Sequence, residues 1–222
     1  MHKLMLHPLD RNPEISAFLG HLTLTPDYES ALTEYRRLAV AFDLVDRRLS
    51  GLDAAIDETA ATFMTQEDDD EGAHEAMERF VQLSAEREYL PALRRKIAIR
   101  IAHRLSAWGL AARQLVNDEI SRRGQALGKR QDEVEPTKQL LRRRYGNSGY
   151  GLEGAKLEHF EELTREMATL DPLQARYDEA REILAKIERE LQDRFFLERR
   201  SDQSGGLAYF LRAVGIDPRE RY

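Results

Sequence analysis

The chain is 222 residues long, lacks cysteine, and sets 34 Lys and Arg against 40 Asp and Glu, for a net charge of −6. The missing thiols exclude disulfides, thiolate metal sites, iron–sulfur clusters and a cysteine nucleophile. With 33% charged and 41% hydrophobic residues but only 13 Gly and 7 Pro, the composition suits long helices, in one large domain or two small ones.

From the N-terminus, Met1–Asp10 holds one lysine and no continuous apolar core, so it does not read as a signal peptide. A short helix is expected over Pro13–Leu19, with Asn12 as its cap and Gly20 after it. The first long helix starts at Thr25-Pro26, where a hydroxyl cap precedes a proline suited to the first turn and Asp27 and Glu29 suit the positive end of the dipole. Apolar residues then recur every seven, at Tyr28, Tyr35, Phe42, Leu49, Ile56 and Phe63. A second series three residues on holds Ala31, Leu38, Val45, Leu52 and Thr59. This is a heptad stripe to about Met64, and its aromatic knobs suit a bundle of three or more helices or an antiparallel pairing with small residues opposite. Gly51 within it predicts a close helix approach, since glycine costs about 1 kcal/mol in a helix interior.

An acidic turn, Thr65–Gly72, leads to a second helix from Ala73 toward Gly124 or Gly128. Its stripe includes Ala76, Phe80, Leu83, Leu90, Leu93, Ile97, Ile101, Leu105, Trp108, Ala112 and Leu115, and Pro91 should kink or split it. Arg104 lies beside this stripe, and its head is expected to reach water along its own stem, the alternative being a carboxylate from a neighbouring helix. Gly124–Gly154 reads as an irregular, basic connector containing a short helix, Pro136–Tyr145. A third helix fills most of 154–198, its apolar positions alternating three and four apart except for two successive steps of three ending at Leu170–Leu173, where Asp171-Pro172 slips the phase. Beyond a Gly205-Gly206 hinge, Leu207, Phe210, Leu211 and Val214 fall at i, i+3, i+4 and i+7. No segment alternates long enough for a strand. The expectation is therefore all-α: an elongated antiparallel bundle of three long, partly kinked helices (26–200), with an N-terminal segment (1–25) and a C-terminal hinge and amphipathic helix (201–222).

Charge is segregated along the chain. Residues 1–93 carry 8 basic and 19 acidic side chains, residues 94–150 carry 14 and 5, and residues 151–222 carry 12 and 16. A basic centre between acidic arms either meets a polyanion or is neutralised by its neighbours in the fold. The residues suited to phosphate contact are Arg94, Arg95, Lys96, Arg100, Arg122, Arg123, Lys129, Arg130, Lys138, Arg142, Arg143 and Arg144, with Tyr145 and Tyr150 able to stack on bases. Leu207, Phe210, Leu211 and Val214 form the layout of a helix that docks in a partner's groove, against the plainer expectation that it packs back on its own bundle.

Catalytic and cofactor motifs are weak. Gly149–Gly154 matches G-x-G-x-x-G, but Arg142–Tyr145 precedes it where a buried strand is needed, so a connector is expected. Aligning Gly72 with the sixth position of a calcium loop puts Glu67, Asp69, Glu71 and Glu78 at ligand positions, yet two of the three early ones are the longer Glu; an acidic helix start is expected. No catalytic residue, metal or cofactor is assigned. The expected function is that of a structural, adaptor or assembly subunit acting through helix–helix contacts or self-association. The alternative is a nucleic-acid-binding subunit using residues 94–150. The expected setting is cytoplasmic, away from membranes.

Overall fold

A computed structural model describes residues 7–65, 71–146, 148–195 and 203–219. Their regular structure is all helical: α1 (Pro8–Arg11), α2 (Pro13–Gly20), α3 (Pro26–Thr65), α4 (Glu71–Tyr145), α5 (Ala155–Met167), a 3-10 turn (Ala168–Leu170), α6 (Asp171–Phe195) and α7 (Gln203–Ala213). None of these helices is long and apolar enough to cross a membrane.

The heptad stripe of α3 is its buried face. Tyr28, Tyr35, Phe42 and Ile56 are buried with Ala31, Leu38, Leu52 and Thr59, Val45 and Leu49 are half-covered, and only Phe63 at the end is exposed. Thr25 caps the helix as its chemistry demands, its hydroxyl accepting from the Tyr28 N–H at 3.3 Å. Gly51 is a correction: it is exposed, and a Cβ there would meet nothing within 4 Å. The close approach belongs to Gly109 of α4, where a Cβ would lie 2.6 Å from a Leu191 methyl of α6.

The spine of the molecule is α4, 75 residues in one run and about 110 Å long at 1.5 Å per residue. Pro91 does not split it, and the stretch read as an irregular connector is helical through Gly124, Gly128 and Pro136 to Tyr145. An interior proline costs about 3 kcal/mol in helix terms. Here both flanks are anchored: Leu83 and Leu90 before Pro91, and Ile97 and Ala98 after it, are buried, so tertiary packing holds the helix across the missing N–H. The reverse holds near Pro172. The phase slip at Leu170–Leu173 coincides with the 3-10 turn, and the expected third long helix is two, α5 and α6.

Cross-helix contacts give the directions. Along α3, Glu34, Asp46 and Asp53 meet Arg104, Arg94 and Arg87 of α4, so one number rises as the other falls. Farther along α4, Arg113, Arg123 and Arg130 meet Glu188, Glu179 and Thr169 in the same opposed sense. The first half of α4 thus pairs with α3 and the second with α5 and α6. Where the two pairings overlap, α2 and α7 join them around a core that includes Trp108, Ile101, Leu105, Tyr35, Ile187 and Phe210. A smaller cluster of Leu52, Ile56, Leu83 and Leu90 holds the outer part of the α3–α4 arm.

Candidate interaction surfaces

Most of the basic block is spoken for within the chain. Arg94 is the clearest case. Its guanidinium lies 2.8 Å from Asp46 of α3, sits over the Phe42 ring at 5.1 Å, and donates to the carbonyls of Val214 at 2.9 Å and Gly215 at 3.2 Å. Those carbonyls close α7, which ends in a Schellman motif: Gly215 has φ +75°, its N–H reaches the Arg212 carbonyl, and the Ile216 N–H reaches that of Leu211. Arg95 holds the Pro218 carbonyl at 2.8 Å. Arg94 and Arg95 therefore fasten the C-terminal tail to the spine.

Farther along, Arg100 and Arg104 share Glu34, at 3.4 and 2.7 Å. The head of Arg104, expected to stand in water, is thus held by a carboxylate of the neighbouring helix. Glu119 is 7% exposed and takes N–H groups from Arg122 at 2.7 and 2.8 Å and from Arg123 at 2.6 Å. These bonds, that of Arg122 foremost, hold its carboxyl down at about 2 against the cost of burial. Arg123 also bonds Glu179 of α6 at 2.8 Å and lies over the Phe18 ring of α2 at 5.0 Å, so one side chain joins three helices. Arg130 contacts Glu133 and Thr169, and Lys138 reaches Glu135 at 3.4 Å.

Among the described residues Lys96, Lys129, Arg142, Arg143 and Arg144 are exposed and make no ion pair. Three of them, Arg142–Arg144, form the last turn of α4, where positive charge complements the helix dipole. Tyr145 is anchored rather than loose: its hydroxyl is 2.7 Å from His159 Nδ1 and its ring meets Phe160 edge-on at 5.8 Å. Tyr150 is 97% exposed. The glycines around it serve the turn, since Gly146, Gly151 and Gly154 have positive φ and a Cβ on Gly149 would lie 2.7 Å from Phe160.

The apolar face of α7 is covered within the chain. Phe210, Leu211 and Val214 are buried in the central core with Ile216, and Leu207 is half-buried against it. The Arg94–Arg95 fastening just described lies beside this packing of α7 on α4 and α6. Of the calcium-loop positions, Glu67 and Asp69 lie outside the described residues, while Glu71 and Glu78 are exposed in the first turns of α4. The described residues gather no group of three or more His, Asp or Glu able to hold a metal ion.

The chain matches no family model, no curated protein and no solved structure. Its exposed apolar side chains concentrate on the α3–α4 arm: Met77, Val81, Tyr89 and Leu93 on α4 fall four, eight and four residues apart, and Val40, Leu44, Phe63 and Met64 lie on α3. Ala85, also exposed, fills the gap in the α4 series and completes an i, i+4 ridge.

Sequence reasoning missed the buried polar junction at the N-terminus. His7 is 1% exposed, accepts the Leu9 N–H on Nδ1 at 3.2 Å, and packs edge-on to Tyr35 and Trp108 at 4.8 and 4.5 Å. Burial, reinforced by Arg194 and Arg36, pushes its pKa down to about 3, so the ring is neutral. Arg194 is fully buried next to Glu190 and Tyr35. Neither residue sits in a motif. Tyr35 and Trp108 come from other helices, Glu190 and Leu9 are near in sequence, and the one local signal is His7-Pro8 at a helix start.

Proposed function

We propose that the protein is a non-catalytic structural or adaptor subunit that lends helical surface to an assembly. The observation that supports this reading is the α3–α4 arm. Outside the central core it is two helices thick, its own core reduces to Leu52, Ile56, Leu83 and Leu90, and the ridge Met77–Val81–Ala85–Tyr89–Leu93 stands open along α4. An i, i+4 ridge is what a further helix packs its grooves against. The test is sizing of the assembly isolated under native conditions. Val81→Glu with Tyr89→Glu, both at exposed positions, should lower its mass by the loss of the chain packed on the ridge, with the circular dichroism unchanged. A wild-type chain that runs alone, or an assembly indifferent to both substitutions, sinks the reading.

Nucleic-acid contact is the second reading, and the specific support for it is Arg142, Arg143 and Arg144, exposed and without ion pairs among the described residues, with Tyr150 close in the chain. Such contact would weaken steeply with salt and vanish on changing the three arginines to Ala, whereas apolar ridge packing would do neither.

A further inference from the structure

The last turn of α4 is positive, although α5 beside it exposes Glu158, Glu161 and Glu162, whereas the Glu71 end is negative, and each end exposes apolar groups. At the Tyr145 end, a groove of about 390 Å³ lies between α4 and α5. Leu141, Phe160 and Met167 supply its apolar lining and Lys138 and Arg142 its rim. Arg143 and Arg144 extend the positive charge beside it. At the Glu71 end, α3 finishes with Phe63 and Met64 exposed, the latter 80%. Its last turn holds no basic residue. Exposed Asp57, Glu58, Glu71 and Glu75 surround that end.

We propose that these ends bind one another between copies of this chain. Phe63 and Met64 of one copy enter the Leu141–Phe160–Met167 groove of another, while Lys138 and Arg142–Arg144 face Asp57, Glu58 and Glu75. The inference deepens the helix-surface reading and rests on it. Charge complementarity selects the occupant: the groove asks for an apolar side chain carried on an acidic segment, and the α3 terminus is one. The surfaces lie at opposite ends of a helix about 110 Å long, so one chain cannot satisfy both itself. A contact between two different patches repeats from copy to copy.

Sedimentation of the purified, nuclease-treated full chain tests this. Average mass should rise with protein concentration at about 50 mM salt and fall back to that of a monomer at about 500 mM, where the Debye length shortens to a few ångströms. Met64→Glu, Arg142→Glu with Arg143→Glu, and Glu58→Lys with Glu75→Lys should each weaken self-association about tenfold or more, and the two charge reversals mixed as separate chains or combined in one should restore it to within about threefold. Val81→Glu should leave it unchanged, which separates this contact from the arm ridge. All these positions are exposed, and circular dichroism confirms that each variant is folded. A constant monomer mass at low salt, a mass indifferent to Met64→Glu, or charge reversals that fail to rescue each other would overturn the proposal. If the chain stays monomeric yet the ridge-dependent assembly persists, the end-to-end contact falls and the adaptor reading stands. A low-salt mass increase lost on nuclease treatment overturns it in favour of nucleic acid.

Discussion

Gly51 and Gly109 show how two chemically identical residues in long helices differ in what they do. Gly51 is exposed with open space where a Cβ would go, so Gly51→Ala should gain up to about 1 kcal/mol from helix propensity alone. Gly109 is buried against Leu191, itself 4% exposed, so the methyls that a larger side chain displaces have nowhere to move. Gly109→Val should cost about 2 kcal/mol by overpacking. Chemical denaturation of the two variants gives both signs; a stabilising Gly109→Val would disprove the close α4–α6 contact. His7 carries a different kind of residue-scale consequence. Its folded pKa, about 3, lies below the ordinary 6.5 of the unfolded chain. Between those values the unfolded state binds a proton that the folded state refuses, so stability falls as pH drops from about 6.5 toward 3. The slope approaches one proton, about 1.4 kcal/mol per pH unit. His7→Asn keeps a capping side chain but cannot titrate. Its stability relative to the wild type should therefore improve steadily from pH 7 to pH 5, and a pH-independent difference would show that His7 is solvated. Glu119 adds a loss of its own only at lower pH, between about 4.5 and 2, where its carboxylate would take up a proton.

Individual elements were legible where their reasons were local. The α3 stripe, the Thr25 cap and the slip before Pro172 all follow from spacing within one segment, and each appears in place. Proline at 91 and 136 and glycine at 124 and 128 misled, because their cost is set locally while the packing that offsets it comes from α3, α5 and α6. The basic block was legible as a block but not as a set of partners. Arg94 finds Asp46 and the Gly215 carbonyl, 48 and 121 residues away in sequence, and no spacing rule reaches that far. The α7 element shows the same limit: its amphipathic period was readable, and the Val214-Gly215-Ile216 sequence after it fits a Schellman closure, yet which core it joins depends on Arg94 and Arg95. That dependence is testable. Arg94→Ala removes the donor to two carbonyls, the Asp46 pair and the Phe42 stack together. Hydrogen exchange of residues 207–216 should accelerate by at least about tenfold while residues 97–116 keep their protection. Arg94→Lys, a point charge that cannot span the same acceptors, should restore only part. Unchanged exchange in the tail would mean that burial of Phe210 and Leu211 holds α7 unaided.

At the scale of the molecule, one continuous helix carries two cores of unequal strength. The central core draws on α2, α3, α4, α6 and α7 around Trp108, whereas the outer arm depends on one small apolar cluster from two helices, edged by buried Thr59, Ala73 and Ala76. A helix that is continuous in hydrogen bonding need not be uniform in stability, because protection follows the tertiary contacts along it. The arm should therefore open without the centre. Leu83 is 2% exposed and contacts the small cluster alone, so Leu83→Ala removes packing worth about 2–5 kcal/mol from the weaker unit. Amides of residues 49–65 and 71–90 should then lose protection while those of 97–116 stay at the level of global unfolding. Leu105→Ala, in the central core, should instead lower protection everywhere, arm included, since the arm has no other anchor. Were both substitutions to lower protection uniformly along α4, the molecule would unfold as one unit, and the arm would lose its standing as a separable surface for a partner helix. The separable outcome fits the adaptor reading physically: a weakly self-sufficient arm that exposes Val81 and Tyr89 gains stability when another helix covers it, by the mass-action link between binding and folding.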